Sequence, residues 1–144
     1  GVCVMRSWDG SSEIDVAVFV DIDGTLCSFP KAGHRELRPY AVDALRELST
    51  VAHVVLWSMG GRGAGERVLQ KFPEIAPYVS HVTDKASAPF DLVRDAYSID
   101  DGDVTECTAR GNRITVSSFK GGEDSGALLE AAQKIVNDIR QDTE

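Results

Sequence analysis

The chain has 144 residues, 42% of them hydrophobic and 26% charged, with a formal net charge of -8. This balance fits one globular domain over residues 1–144 and excludes a disordered chain; no apolar run approaches the roughly 20 residues that span a bilayer, so a cytoplasmic protein without membrane contact is expected. An evenly acidic surface repels the phosphate backbone, which disfavours nucleic-acid partners and demands local positive charge or a metal wherever an anionic substrate sits.

In chain order, the start at Gly1 rather than Met points to a processed or foreign stretch, so residues 1–13 are expected to be irregular and carry no assigned function. Residues 14–20 (Ile-Asp-Val-Ala-Val-Phe-Val) read as a strand buried on both faces, which ends abruptly in acids. Pro39 is placed as a first helical residue, with Val42, Leu45 and Leu48 following at helical spacing to about Ser49. A second buried strand is expected at residues 52–57 and a short helix at 62–72, stopped by Pro73. Residues 78–83 read as a weak strand, 90–95 as one or two helical turns, 96–99 as a strand running into Asp100-Asp101-Gly102, and 113–117 as a further strand. Asp124 or Ser125 caps a long last helix through Leu128, Ala131, Ile135 and Ile139. Strands alternating with helices imply βαβ crossovers, hence an α/β fold: a three-layer, Rossmann-like parallel sheet with helices on both faces.

Ligands of such sheets sit beyond the carboxyl ends of the strands, where four polar features fall in order: Asp21-Ile22-Asp23-Gly24-Thr25, Ser58-Met59-Gly60-Gly61, Lys85, and the acidic pair Asp100-Asp101. Phosphoryl transfer needs a nucleophile, charge neutralisation, donors around the equatorial oxygens and an acid for the leaving group. Asp21 suits attack on phosphorus to give an aspartyl phosphate, and Asp23 suits protonation of the leaving oxygen followed by deprotonation of water. Gly24 permits a tight turn, Thr25 orients the nucleophile, and Ser58 with the Met59 and Gly60 amides donates to phosphate. Lys85 offsets phosphate charge, while Asp101, with Asp100 beside it, joins Asp21 and the Asp23 main-chain carbonyl in a hard-oxygen set suited to Mg²⁺.

This series of motifs resembles the haloacid dehalogenase superfamily, whose members carry an Asp-x-Asp-Gly-Thr loop, a Ser or Thr, a Lys and an acidic pair. The resemblance covers about residues 16–103, and residues 112–139 are similar to the closing strand and helix of the small capless members. Leu37-Arg38-Pro39 and Leu56-Trp57-Ser58 further resemble the branch of polymerase-tail phosphatases and NLI-interacting-factor-like proteins. Gly24 stands where the eukaryotic tail phosphatases vary, so protein substrates do not follow from that likeness. The resemblance implies a phosphatase, because the second acid, Asp23, is replaced in phosphate-transferring ion pumps and missing in dehalogenases. Only 36 residues lie between Asp21 and Ser58 and only 26 between Ser58 and Lys85, so neither gap houses a cap domain.

An open site leaves specificity to a flap at residues 28–38, whose Lys31, His34, Arg35 and Arg38 face a single Glu36. Lys31, Arg35 and Arg38 are therefore assigned to an anionic leaving group or second phosphate, with Arg62 as a contributor. The physiological substrate, a phosphoprotein, nucleotide or small metabolite, is not legible, and a homo-oligomer would supply a makeshift lid. Cys3, Cys27 and Cys107 are odd in number and unpaired in spacing, and His34, His53 and His81 are scattered, so neither disulfides nor zinc is expected. A response-regulator receiver is excluded by layout, since its phosphorylated Asp follows the third strand, where this chain has Lys85. Two alternatives remain: a catalytically idle binding or regulatory module on the same fold, and a phosphotransferase using the same aspartyl phosphate.

Overall fold

The computed structural model describes residues 7–102 and 112–142. Five strands, β1 (Ile14–Asp21), β2 (His53–Ser58), β3 (His81–Asp84), β4 (Val93–Asp100) and β5 (Asn112–Thr115), form one parallel sheet in the order β3-β2-β1-β4-β5. Three helices, α1 (Ala41–Ser49), α2 (Arg62–Lys71) and α3 (Ala127–Asp142), flank it, so the chain is α/β. None of the described helices is long and apolar enough to cross a membrane.

Strand alternation divides the core in two. On one face Val18, Val20, Val54, Leu56 and Ile99 join Leu45 and Leu48 of α1, Ala64 and Val68 of α2, and Leu128, Ile135 and Ile139 of α3. On the other, Ala17, Phe19, Val55 and Trp57 are covered by Trp8 and by Phe90 and Leu92. Among the described residues, then, helices lie on one face only, which corrects the expectation of helices on both.

Crossover handedness supplies the reason. Stepping from β1 to β2 to β3 places α1 and α2 on one face, and the return from β3 past β1 to β4 must cross the other face. That return is residues 85–92, with room only for the 3₁₀ turn Phe90–Leu92. Phe90 takes the place of a helix, its ring 4.4 Å from that of Phe19 and 5.4 Å from that of Trp57.

Several boundaries shift from the sequence reading. The described part of the N-terminal stretch, from Ser7, joins the fold: Trp8 is buried, donates Nε1–H to the Ser12 carbonyl at 2.9 Å, and packs on His53 and His81. Pro39 precedes α1 instead of starting it. The Arg38 N–H is tied to the Leu26 carbonyl at 2.9 Å, so the chain must turn before it can coil, and Tyr40 absorbs the turn at φ 67°. Pro73 and Pro77 keep residues 73–78 in a 3₁₀ turn, which delays β3 to His81. β4 starts at Val93, three residues before the expected Ala96, because Val93 and Asp95 pair with Ile14 and Val16 of β1. Arg94 and Asp95 on that edge hide the strand from a hydrophobicity pattern.

Candidate active site

The order of the sheet makes β1 and β4 neighbours whose chain connections leave in opposite directions, a switch point where a crevice opens at the carboxyl ends. Asp21 ends β1, Ser58 ends β2, Lys85 follows β3 and Asp100 ends β4. A cleft of about 150 Å³ there is lined by Asp21, Asp23, Phe29, Ser58, Met59, Gly60, Lys85 and Asp101. All four sequence motifs therefore contribute to one site.

Asp21 is 7% exposed. Its Oδ1 is paired with Lys85 Nζ at 3.0 Å and its Oδ2 accepts the Thr25 hydroxyl at 3.2 Å. Desolvation dominates and raises the Asp21 carboxyl above its ordinary value; Lys85 opposes this, and nearby Asp101 pushes it up further. Lys85 lies under a second constraint, with Nζ 5.2 Å from the centroid of the Trp57 ring. Its backbone N–H donates to the Ser58 carbonyl at 3.1 Å, which fixes where the lysine leaves β3. Ser58 Oγ accepts the Gly60 N–H at 3.0 Å, so its own O–H is directed by the turn that presents the Gly60 backbone.

The first motif closes on itself after β1: the Gly24 N–H donates to the Cys27 carbonyl at 2.8 Å, and those of Leu26 and Cys27 donate to the Ile22 carbonyl at 3.0 and 3.1 Å. Gly24 adopts φ 82°, and a Cβ there would stand 2.3 Å from Asp101 Oδ2. Only glycine lets the loop meet the β4 acid this closely.

The flap is a β-hairpin. Ser28 N–H reaches the Glu36 carbonyl at 2.9 Å, and Lys31 and His34 exchange backbone bonds of 2.8 and 2.9 Å around Ala32 (φ 52°) and Gly33 (φ 76°). Two consecutive positive φ values form the turn whose twist suits a two-residue hairpin. The positive charges expected on this flap separate into three situations. Lys31 is exposed and away from the cleft lining. Arg35 turns inward and binds Asp23 Oδ1 through Nη1 at 2.6 Å, with a longer approach to Cys27 Sγ at 3.4 Å.

Arg38 is not at the surface at all, which removes it from the substrate-binding set. It is 1% exposed and grips both oxygens of Asp124 at 3.0 and 3.1 Å, the Thr25 carbonyl at 3.2 Å and Ser117 Oγ at 3.3 Å. Leu26 and the hairpin backbone draw residue 38 beneath the loop, and the Phe119 ring closes over the guanidinium at 5.7 Å. Arg62 is exposed and engaged with Glu66 at 3.0 Å, one turn along α2.

The two acids of the last motif part company. Asp100 is nearly fully buried, and both its oxygens receive the Arg113 fork at 2.7 Å, with the Gly102 N–H adding a 2.7 Å bond. Burial pushes its carboxyl up, but the Arg113 and Gly102 hydrogen bonds outweigh this and hold it below its ordinary value. Asp101 lines the cleft instead. Among the described residues no three acidic, His or Cys side chains gather as a metal cage. The fit to Mg²⁺ is nevertheless good, since this ion takes one or two carboxylates and completes its shell with water and phosphate oxygens. Asp21 and Asp101, which line the cleft, are the two carboxylates that could serve, with the Asp23 main-chain carbonyl in the same loop; Asp100 and the Asp23 carboxylate are engaged by arginines.

The sequence reading passed over Phe29, a cleft-lining residue on the hairpin, treated Trp57 as core only, and did not foresee Arg113 as the partner of Asp100. The aromatic flanking of Lys85 had a signal, Trp57 next to Ser58; Arg113 had none, because it arrives from β5 through the β4–β5 register. His53 and His81 open β2 and β3 at the opposite edge from the cleft. Cys27 is buried and its thiol is pushed up by that burial; Cys3 and Cys107 fall outside the described residues.

No protein-family model matches the chain, and no curated protein does. Among solved structures it is similar to an uncharacterized protein from Listeria monocytogenes serotype 4b, with TM-score 0.54 and 13% identity over 88% of this chain and 99% of that one. At this identity the likeness shows the fold alone.

Proposed function

We propose that this chain is a Mg²⁺-dependent phosphomonoester hydrolase of the haloacid dehalogenase type, without a cap domain, working through an aspartyl phosphate on Asp21. The observation that carries the reading is the setting of Asp21: a carboxylate at a switch-point strand end, fixed by Lys85 at 3.0 Å and Thr25 at 3.2 Å, in a cleft shared with Ser58 and Asp101. A structural acid has no need of an open cleft on one side and a lysine on the other.

Lys85 and Thr25 hold the Asp21 carboxylate at a defined angle, so the entropy of aligning it with phosphorus is met before substrate arrives. The Ser58 hydroxyl offers a donor to the non-bridging oxygens, oriented by the Gly60 N–H that its oxygen accepts, with Lys85 placed to balance their charge. Asp23 lies two residues beyond Asp21 in the same loop and lines the same cleft, which suits it to serve the leaving group. It gives its proton to the leaving oxygen in the first half of the reaction and takes one from water in the second. Arg35 must release Asp23 for the first half, whereas the second uses the carboxylate as it stands. Asp21, Asp101 and the Asp23 main-chain carbonyl would hold Mg²⁺, which would supply positive charge to offset the repulsion between carboxylate and phosphate. Access is consistent with a capless site: the hairpin follows β1, and the link from β2 to α2 is only residues 59–61.

The test is turnover of a generic aryl phosphate by purified protein with Mg²⁺ or chelator. Turnover should require the metal, and Asp21→Asn should reduce it by at least about 10³-fold with unchanged circular dichroism. An unaffected Asp21→Asn variant defeats the reading. A folded, inactive wild type would leave the idle binding module as the better account.

A further inference from the structure

A second recess lies on the far side of the hairpin, between it and α2, with a volume of about 350 Å³ and walls made by Pro30, Gly33, Arg35, Arg67, Val68 and Lys71. Three of those six residues are cations and none is a carboxylate, on a chain of net charge -8. Arg67 and Lys71 stand four residues apart on α2, so their side chains share one face and repel. Two other helical arginines are neutralised within their own helix, Arg46 by Asp43 and Arg62 by Glu66. Among the described residues neither Arg67 nor Lys71 makes an ion pair or a side-chain hydrogen bond. Arg35 connects the two recesses: it lines this groove, and its Nη1 reaches Asp23, which lines the cleft.

We propose that this groove receives a second phosphate of the same substrate molecule, making the preferred substrates small bisphosphorylated compounds: one phosphate faces Asp21, and the other is held by Arg67 and Lys71. The substrate class rests on the Asp21 reading; the groove as an anion site does not. Like charges stacked without a counter-carboxylate are an unfavourable arrangement that an anion relieves, and the Val68 floor lowers the local dielectric and strengthens the attraction. Simultaneous engagement of both phosphates turns the second contact into an intramolecular one, which is how a shallow groove gains affinity.

The experiment measures binding first, independently of catalysis. Calorimetric titration with non-hydrolysable alkane bisphosphonates of increasing chain length, against propylphosphonate at the same ionic strength, should find a length that binds about tenfold or more tighter than the monophosphonate. Arg67→Gln/Lys71→Gln, two exposed positions where glutamine keeps helix propensity, should bring that advantage close to one. Equal affinity for all probes, or an advantage that survives the double variant, overturns the proposal. Diol bisphosphates and monophosphates as substrates then give the same ratio in kcat/KM. If the bisphosphonate advantage holds but no phosphate ester is turned over, the groove stands and the hydrolase reading falls. If aryl phosphate is hydrolysed and bisphosphonates gain nothing, the reverse applies.

Discussion

Two acid–base pairs among the described residues, Asp21–Lys85 at the end of β1 and the buried Arg38 with the partly buried Asp124 beneath the hairpin, are built to opposite ends. Arg38 is saturated: its guanidinium spans Asp124, the Thr25 carbonyl and Ser117, and its side chain is fully buried. The Arg38 hydrogen bonds, foremost, hold the Asp124 carboxyl below its ordinary value, so the charged form suits the fold. Asp21 is left partly unsatisfied, with one lysine, one hydroxyl and an open cleft, and desolvation raises its carboxyl. The difference teaches that burial of a charge does not identify its role. A pair whose acceptors are all used fastens two segments; one that keeps a free edge and a displaced proton affinity is ready for a ligand.

The comparison can be broken most forcefully at Arg38. Arg38→Met leaves Asp124 buried without its partner and should cost about 3–5 kcal/mol, a fall in Tm on the order of 10 °C by calorimetry. A fall of only a degree or two would show that the pair fastens nothing. The matching substitutions on the acids sharpen the contrast, both measured in chelator: Asp124→Asn should lower Tm by more than Asp21→Asn does, since the fold favours ionised Asp124 and disfavours ionised Asp21.

Gly24→Ala probes the open pair from the other side. The left-handed backbone costs about 1–2 kcal/mol and the Cβ collides with Asp101, so aryl phosphate turnover should fall about tenfold or more and Mg²⁺ should bind more weakly. Normal turnover in this variant would remove Asp101 from the site.

The smallest effect is in pH. Asp124 has a folded value below its ordinary 3.8, so its contribution is fully present above about 3.8 and fades as pH falls through that value toward the depressed one. The Tm gap between wild type and Asp124→Asn should therefore be constant from neutral pH down to about 4 and narrow below it, as followed by thermal melts. A gap unchanged at acid pH would mean that Asp124 is not the titrating partner.

Much of the architecture was legible in order and kind. Buried strands carry apolar runs rich in valine, and α1 and α3 carry apolar residues at helical spacing, because each pattern reflects which faces meet the core. Boundaries failed where a partner set them: β4 begins where β1 offers hydrogen bonds, and α1 begins only after the hairpin lets the chain turn. The expected second helical layer failed for a related reason, since the length of the link between β3 and β4 shows in the sequence only once both strand ends are known.

By itself the sequence determined the parallel α/β plan and the four motifs at strand ends, because local periodicity and the chemistry of the residues that follow each strand are properties of short segments. Only the tertiary structure decided which charges are paired, which are buried and which line a groove. Arg35, Arg38, Arg67 and Lys71 look alike in one dimension; the hairpin register sends the first to Asp23, buries the second under Asp124, and brings α2 alongside so that the last two share a groove. A side chain's role follows from what stands within a few ångströms of its charge, and those neighbours come from strands and loops far apart in the chain.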